Sequence, residues 1–358
     1  MKNFSYLGIA LLFLYVACTP QEKPEEESKV GTFAKGADMS WLTEQEADGV
    51  RFYDDSNKAT DCIALLKSCG MNAVRLRVWV NHSTGWCNKE DVINKAMRAT
   101  KLHQRLMIDF HYSDFFCDPG RQDIPNEWKD YDLTQMGEAI KQHTCDVLTE
   151  LKKNNITPEW VQIGNETTNG MLWPMGKLWD DSGDIKQGWQ HYVFLSNCGY
   201  KAAKEIFPEI KVVVHIDNAW EDRIWWYKKF TDNGGKLDII GLSHYPQTNT
   251  QKSWSEMNDL CALHINQLAQ TFGLPVIITE VGTKSSNPTL AAQVMTDFIN
   301  KVSVSEHCVG IFYWEPQVYN GWKPAEYTNL GWGAYDMGAF KSGGQPADAI
   351  KILLSVKK

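Results

Sequence analysis

The sequence has no basic cluster. Its 36 Lys and Arg are outnumbered by 44 Asp and Glu, leaving a formal charge of −8. Nucleic-acid binding depends on cations that neutralise phosphates, so DNA and RNA are not expected as partners. It has no C-x-x-C pair either: Cys62, Cys69, Cys87, Cys117, Cys145, Cys198, Cys261 and Cys308 are scattered, which removes the usual framework of a zinc site. Spacing does not pair them covalently, and a bridge such as Cys87 to Cys117 is left open. The N-terminal apolar run, residues 7–17, falls far short of the roughly 20 residues that a membrane-spanning helix needs. No linker or shift of composition divides the 358 residues, so one large domain is expected.

What the chain does have is tryptophan, 15 of them. Flat apolar rings stack on the C–H faces of sugars, and in an acidic protein the excess points to an uncharged glycan, although each ring singly suits a core equally well. Residues 1–17 read as a signal segment with a basic start, an apolar run and the ending Val16-Ala17. Val16-Ala17-Cys18 resembles a lipobox, in which Cys18 is lipidated and becomes the mature N-terminus; Tyr15 stands where Leu is usual. Residues 18–32, with Pro20, Pro24 and Glu25-Glu26-Glu27, have the composition of a disordered acidic tether. The glutamates resemble signals that send lipoproteins to the outer face of the outer membrane, and equally suit a solvated charge run. The expectation is a monomeric cell-envelope protein that meets the membrane only through its lipid.

From residue 33 to 358, short β-rich runs alternate with longer stretches of helical period. The runs are residues 33–40, 72–80, 106–113, 160–166, 212–217, 239–245, 276–281 and 309–314. Between them lie stripes such as Leu133, Met136, Ile140, Val147, Leu148 and Leu151, and a last helical run covers 347–356. Eight such units predict an α/β fold, a (β/α)8 TIM barrel, in which the loops after the strands build the active face. Long connections at 114–131 and 167–183 predict a shaped cleft there.

The strands break their own apolar pattern where chemistry is needed. In Val74-Arg75-Leu76-Arg77-Val78-Trp79, alternation turns both arginines into the barrel. Asp109 is a partner for Arg75, as a salt bridge that merely fills the core or as part of a site; Arg77 and His111 lie nearer the mouth. The fourth run ends in Asn165-Glu166 and the seventh in Glu280. Either glutamate alone could cap a helix. Together, on strands almost opposite one another, they form the carboxylate pair that glycoside cleavage requires, one as proton donor and one as nucleophile or as base for water. Glu166 is expected protonated and Glu280 ionised, with Arg77 and Tyr245 donating to Glu280. Asn165 is expected to bind the sugar 2-OH. His111, His215 and His244 end three strands and predict a polar sugar-binding floor, with metal binding as the weaker reading, and Trp314 is expected to wall the site.

Gly36-Ala37-Asp38-Met39-Ser40-Trp41, Val74 to Trp79, Asp109-Phe110-His111-Tyr112-Ser113-Asp114, Gly164-Asn165-Glu166, Gly170-Met171-Leu172-Trp173-Pro174 and Tyr313-Trp314-Glu315-Pro316 together resemble glycoside hydrolase family 53, the endo-β-1,4-galactanases. The resemblance implies a retaining endo-hydrolase of β-1,4-galactan, the side chain of pectic type I arabinogalactan, with galactan and galacto-oligosaccharides as ligands. It places the acid/base on Glu166 and the nucleophile on Glu280. Another β-1,4-glycanase of the same fold, such as a mannanase, and a non-catalytic surface glycan-binding protein are the alternatives. Two departures stand out: Val281-Gly282 follow the nucleophile where the family has Ala and an aromatic, and Phe116-Cys117 replace Trp-Ala. No cofactor is implied. Calcium stays open as the weaker alternative, since some bacterial members bind it in the loop at 317–336, without a residue-by-residue assignment of ligands in this chain.

Overall fold

Residues that alternate in character along a strand sort themselves onto two surfaces, and here the inner surface closes on itself. The computed structural model describes Met1 and residues 32–356. Residues 2–17 of the predicted signal segment, Cys18 and nearly all of the tether lie outside the described residues. The strands are β1 (Ala34–Asp38), β2 (Ala73–Val78), β3 (Arg105–Phe110), β4 (Trp160–Ile163), β5 (Lys211–Ile216), β6 (Ile239–His244), β7 (Val276–Val281) and β8 (Cys308–Trp314). Each is hydrogen-bonded to its neighbours in sequence, and β8 pairs in parallel with β1 to close the barrel. Each of the eight predicted runs thus supplies one strand of a (β/α)8 barrel.

The connecting helices are α1 (Leu42–Ala47), α2 (Cys62–Ser68), α3 (Lys89–Lys101), α4 (Leu133–Lys153), α5 (Gly188–Ile206), α6 (Ile224–Asp232), α7 (Trp254–Phe272), α8 (Pro288–Val302), the short α9 (Ala325–Asn329) and α10 (Asp348–Lys351). Local chemistry sets where α4 begins. Asp132 accepts from the Gln135 N–H and Gln135 returns a bond to the Asp132 backbone, a capping box that satisfies two orphan donors. Its buried Met136, Ile140, Val147, Leu148 and Leu151 form the predicted stripe, packed with Val74, Leu76 and Val78 on the outer side of the barrel wall.

Inside, the barrel is plugged. Ala34, Ala73, Met107, Trp160, Val213, Ile239, Ile277 and Phe312 form a separate apolar cluster, one residue from each strand. Small residues on β1 and β2 make room for the Trp160 and Phe312 rings, whose centroids lie 5.9 Å apart. Gly36 belongs to the same accommodation, because a Cβ there would come 2.2 Å from the Phe312 ring. This floor leaves the C-terminal half of the barrel to polar side chains. The long loops at 114–131 and 167–183 stand over that half, tied together by a bridge between Asp123 and Trp173. All eight described cysteines are free thiols, so the bridge left open between Cys87 and Cys117 is not formed.

Candidate active site

Glu280 reaches the barrel mouth through an irregularity. Alternation from Ile277, which belongs to the floor, would put Thr279 inside and Glu280 outside. The β6–β7 register shifts, however, so that Leu242 pairs with Ile278 and Ser243 with Glu280. Thr279 is the extra residue, its hydroxyl donating to the Leu242 carbonyl at 3.3 Å. A one-residue slip moves a side chain to the other face, and Glu280 turns inward.

Glu166 arrives by a different route. Gly164 has φ +77° and Glu166 φ +45°, so the chain leaves β4 through left-handed backbone that is uncommon for a glutamate. A Cβ at Gly164 would meet the Thr167 side chain at 2.5 Å. The turn is braced by Gln122, which donates to the Asn165 and Glu166 carbonyls at 2.8 and 3.4 Å, and by His215, whose Nδ1 accepts the Glu166 N–H at 3.3 Å.

Arg75, fully buried, lies against Glu280. Its guanidinium contacts Asp38 at 2.7 Å, Asp109 at 2.8 Å and Glu280 at 3.1 Å, and donates to Asn165 Oδ1 at 2.8 Å and Gln162 Oε1 at 3.1 Å. Only a planar fork with five donors serves so many acceptors at once. Tyr245 donates its phenol to Glu280 Oε2 at 2.9 Å; burial, then the Glu280 charge, hold that phenol well above its usual pKa, so it keeps its proton. His111 accepts the Cys117 N–H on Nδ1 at 3.0 Å and donates from Nε2 to Asp109 at 3.0 Å, and burial lowers its pKa, leaving it neutral.

The two glutamates differ in who faces them. Burial, followed by the Glu280 charge and Asp217, pushes Glu166 well above the ordinary carboxylate range. Burial also raises Glu280, opposed by Arg75 and the Tyr245 phenol, to about 7. The pair therefore loses its first proton from Glu280, and Glu166 stays protonated. With Glu280 needed ionised and Glu166 needed protonated, kcat/KM is expected to be bell-shaped, rising with pH as Glu280 ionises and falling as Glu166 does. A pH series on the Glu166→Gln variant checks the assignment, since the alkaline limb should disappear.

Two expectations are corrected. Arg77 does not donate to Glu280. It sits beside Glu315 at 3.2 Å, with its guanidinium 4.5 Å from the Phe116 ring centroid and flanked by Trp41 and Trp79. Arg75 starts one layer lower on β2, in register with Asp38, and extends to the axis where the carboxylates converge. Arg77, nearer the rim, is turned aside under the aromatic loops. His244 is not part of a sugar-binding floor either. On β6, Ile239 belongs to the barrel floor and Ser243 pairs with the inward Glu280, so alternation turns His244 outward, where its Nε2 bonds Asn258 at 2.8 Å and its ring stacks on Phe298.

The other predicted residues converge. A cleft of about 200 Å³ is lined by Glu166, Glu280, His111, Asn165, Tyr245 and Trp314, together with Phe116, Cys117, Asp118, Tyr327 and Trp332. Asn165 uses its Oδ1 for Arg75 and one amide hydrogen for the Cys117 carbonyl at 2.8 Å. His215 is a third correction: fully buried, with Nδ1 accepting the Glu166 N–H and Nε2 bonded to Ser243 Oγ, it does not line the cleft and has no ring nitrogen left for a sugar. At 282 the glycine is a packing choice, because a Cβ there would stand 2.5 Å from the Tyr335 hydroxyl and 2.9 Å from the Tyr245 ring. Sequence reasoning missed Asp38 and Gln162, although alternation from Ala34 and Trp160 points both inward, and it missed Tyr327 and Trp332, which only the fold of the β8 loop brings to the cleft. No group of three or more His, Cys, Asp or Glu able to hold a metal ion occurs among the described residues.

The model of Glycosyl hydrolase family 53 covers residues 34–353. The chain belongs to glycosyl hydrolase family 53. Within family 53 it is 30% identical over 312 residues to an arabinogalactan endo-β-1,4-galactanase of Cellvibrio japonicus, covering 79% of this chain and 80% of the relative. It is 28% identical over 344 residues to the enzyme of that name from Thermothelomyces thermophilus, covering 89% and 98%. A solved fungal β-1,4-galactanase superposes with a TM-score of 0.76 at 27% identity, over 89% of this chain and 98% of the other.

Proposed function

We propose that this chain is a retaining endo-hydrolase of β-1,4-galactan, with Glu166 as acid/base and Glu280 as nucleophile. The observation that carries the reading is a carboxylate pair with divided surroundings: buried Glu280 faces Arg75 and the Tyr245 phenol, while half-buried Glu166 faces carboxylates. Family membership and the naming of relatives as arabinogalactan endo-β-1,4-galactanases supply the sugar.

In the first displacement Glu280 forms a bond to the anomeric carbon as the glycosidic C–O bond breaks, and Glu166 passes its proton to the departing oxygen. In the second, Glu166, now a carboxylate, takes a proton from water as the water oxygen attacks and the Glu280 ester bond breaks. Arg75 and Tyr245 hold Glu280 in its ionised form between turnovers. Asn165 is positioned to give its second amide hydrogen to the sugar 2-OH, and Trp314, held edge-on by Trp41 at 5.0 Å and Tyr335 at 4.7 Å, supplies the apolar wall.

Incubation with potato galactan, with the anomer of the first products read by NMR, tests substrate, mode and stereochemistry together. Oligosaccharides born as the β-anomer are expected; no release from galactan, or α-products, would overturn the reading. Glu166→Ala should lower kcat/KM on galactan by on the order of 10²–10⁴, yet keep attack on aryl galactosides whose leaving group needs no protonation.

A further inference from the structure

We infer that Ser243 is a positioning residue for Glu166, closing a ring of three hydrogen bonds that begins on the Glu166 backbone and returns to its carboxyl through His215. The inference rests on the acid/base role proposed for Glu166. The register slip described above pairs Ser243 with Glu280, so the same irregularity that turns the nucleophile inward places a hydroxyl beside both glutamates. Ser243 is buried, as is His215 on the adjacent strand.

The direction of each bond follows from what each atom can do. A backbone N–H only donates, so His215 Nδ1, which accepts from Glu166 at 3.3 Å, carries no proton. Asn165 Oδ1, 3.1 Å away, is already filled by Arg75 and Gln162. Burial and the neighbouring Arg75 charge keep the ring neutral. The single imidazole proton is therefore on Nε2, and it goes to Ser243 Oγ at 2.8 Å. With that oxygen accepting from His215, the serine hydrogen is left to donate, and the inference places it on the Glu166 carboxyl, whose ionised form Ser243 favours.

A donor of fixed direction favours the ionised form of Glu166. Glu166 is ionised once its proton has gone to the leaving group, and it must remain aimed in that form to serve as the base of the second step. Ser243 thus supports the carboxylate between its two duties, and His215 couples its aim to the left-handed turn that presents it.

The test compares wild type with Ser243→Ala and Ser243→Cys on galactan and on an aryl β-1,4-galactobioside with an activated leaving group. Losing the hydroxyl should move the alkaline limb of kcat/KM upward by about one pH unit, a tenfold change in the ionisation constant. For the activated substrate kcat, limited by the second step, should fall on the order of tenfold because the base of that step has lost its aim, while its kcat/KM, which ends at a bond cleavage needing little protonation, should stay within about twofold. The cysteine variant keeps nearly the same volume with a weaker donor and should shift in the same direction by less; it carries the measurement if the alanine variant does not fold. An unmoved alkaline limb, with both substrates slowed alike, would make Ser243 a packing residue only and overturn the inference. A wild type that releases nothing from galactan defeats instead the function proposed for the site. An alkaline limb that Glu166→Gln abolishes and Ser243→Ala leaves in place defeats this inference alone.

Discussion

Glu280→Ala should abolish galactan cleavage by several orders of magnitude, and azide should restore turnover with inverted product. The covalent route splits one difficult displacement into two easier ones, and with the carboxylate gone no other group is placed to form the intermediate. Truncation to alanine leaves a vacancy beside Arg75 and the Tyr245 phenol, donors that now face Glu280 at 3.1 and 2.9 Å. A small anion suits that vacancy. Azide would attack the anomeric carbon from the face Glu280 used, giving a glycosyl azide of opposite configuration after one displacement. Kinetics on an aryl galactoside with and without azide, with NMR of the product, checks this. Rescue of Glu166→Ala with the inverted azide, and none of Glu280→Ala, would exchange the two roles.

Arg75→Leu should cost more stability than any other single change in the barrel mouth. Its partners Asp38 and Asp109 are fully buried and Glu280 nearly so. Removing one member of a buried ion pair leaves its partner charged and unsolvated, about 3–5 kcal/mol where a single pair is broken, and here one cation answers three carboxylates. Part of that cost is avoided by protonation. Because Arg75 opposes the burial that raises Glu280, its loss moves Glu280 further up, and the acid limb of kcat/KM should shift to higher pH. Arg75→Lys keeps a charge but not the fork, so it should recover stability in part while leaving activity low. Thermal and denaturant unfolding beside kcat/KM profiles report both effects. A leucine variant as stable as wild type would show that the carboxylates are held by something other than this cation.

The barrel was largely legible along the chain. Each predicted run became a strand because a period of two is written in consecutive residues: Val74, Leu76 and Val78 face the helices while Ala73 joins the barrel floor. The ends of β4 and β7 were legible for the same reason, since an acidic residue closing an apolar strand is a local contrast. His244 shows the limit of reading by residue type. The alternation of its own strand already turned it outward, but its likeness to His111 and His215 suggested otherwise.

Three matters were decided only in three dimensions. Arg75 rather than Arg77 holds Glu280, because strand register sets which long side chain reaches the axis, and register is a relation between strands that no single run contains. Glu280 faces inward only through the slip at Thr279, which alternation contradicts. Tyr327 and Trp332 join the cleft because the loop after β8 folds back over it. Taken by itself, the sequence determined the eight-unit barrel and the two strand-end glutamates of the predicted site, because those rest on local periodicity and contrast. The partners that divide the two carboxylates into acid and nucleophile were decided by tertiary structure, because charge at a buried group answers to whatever lies across space, however distant along the chain.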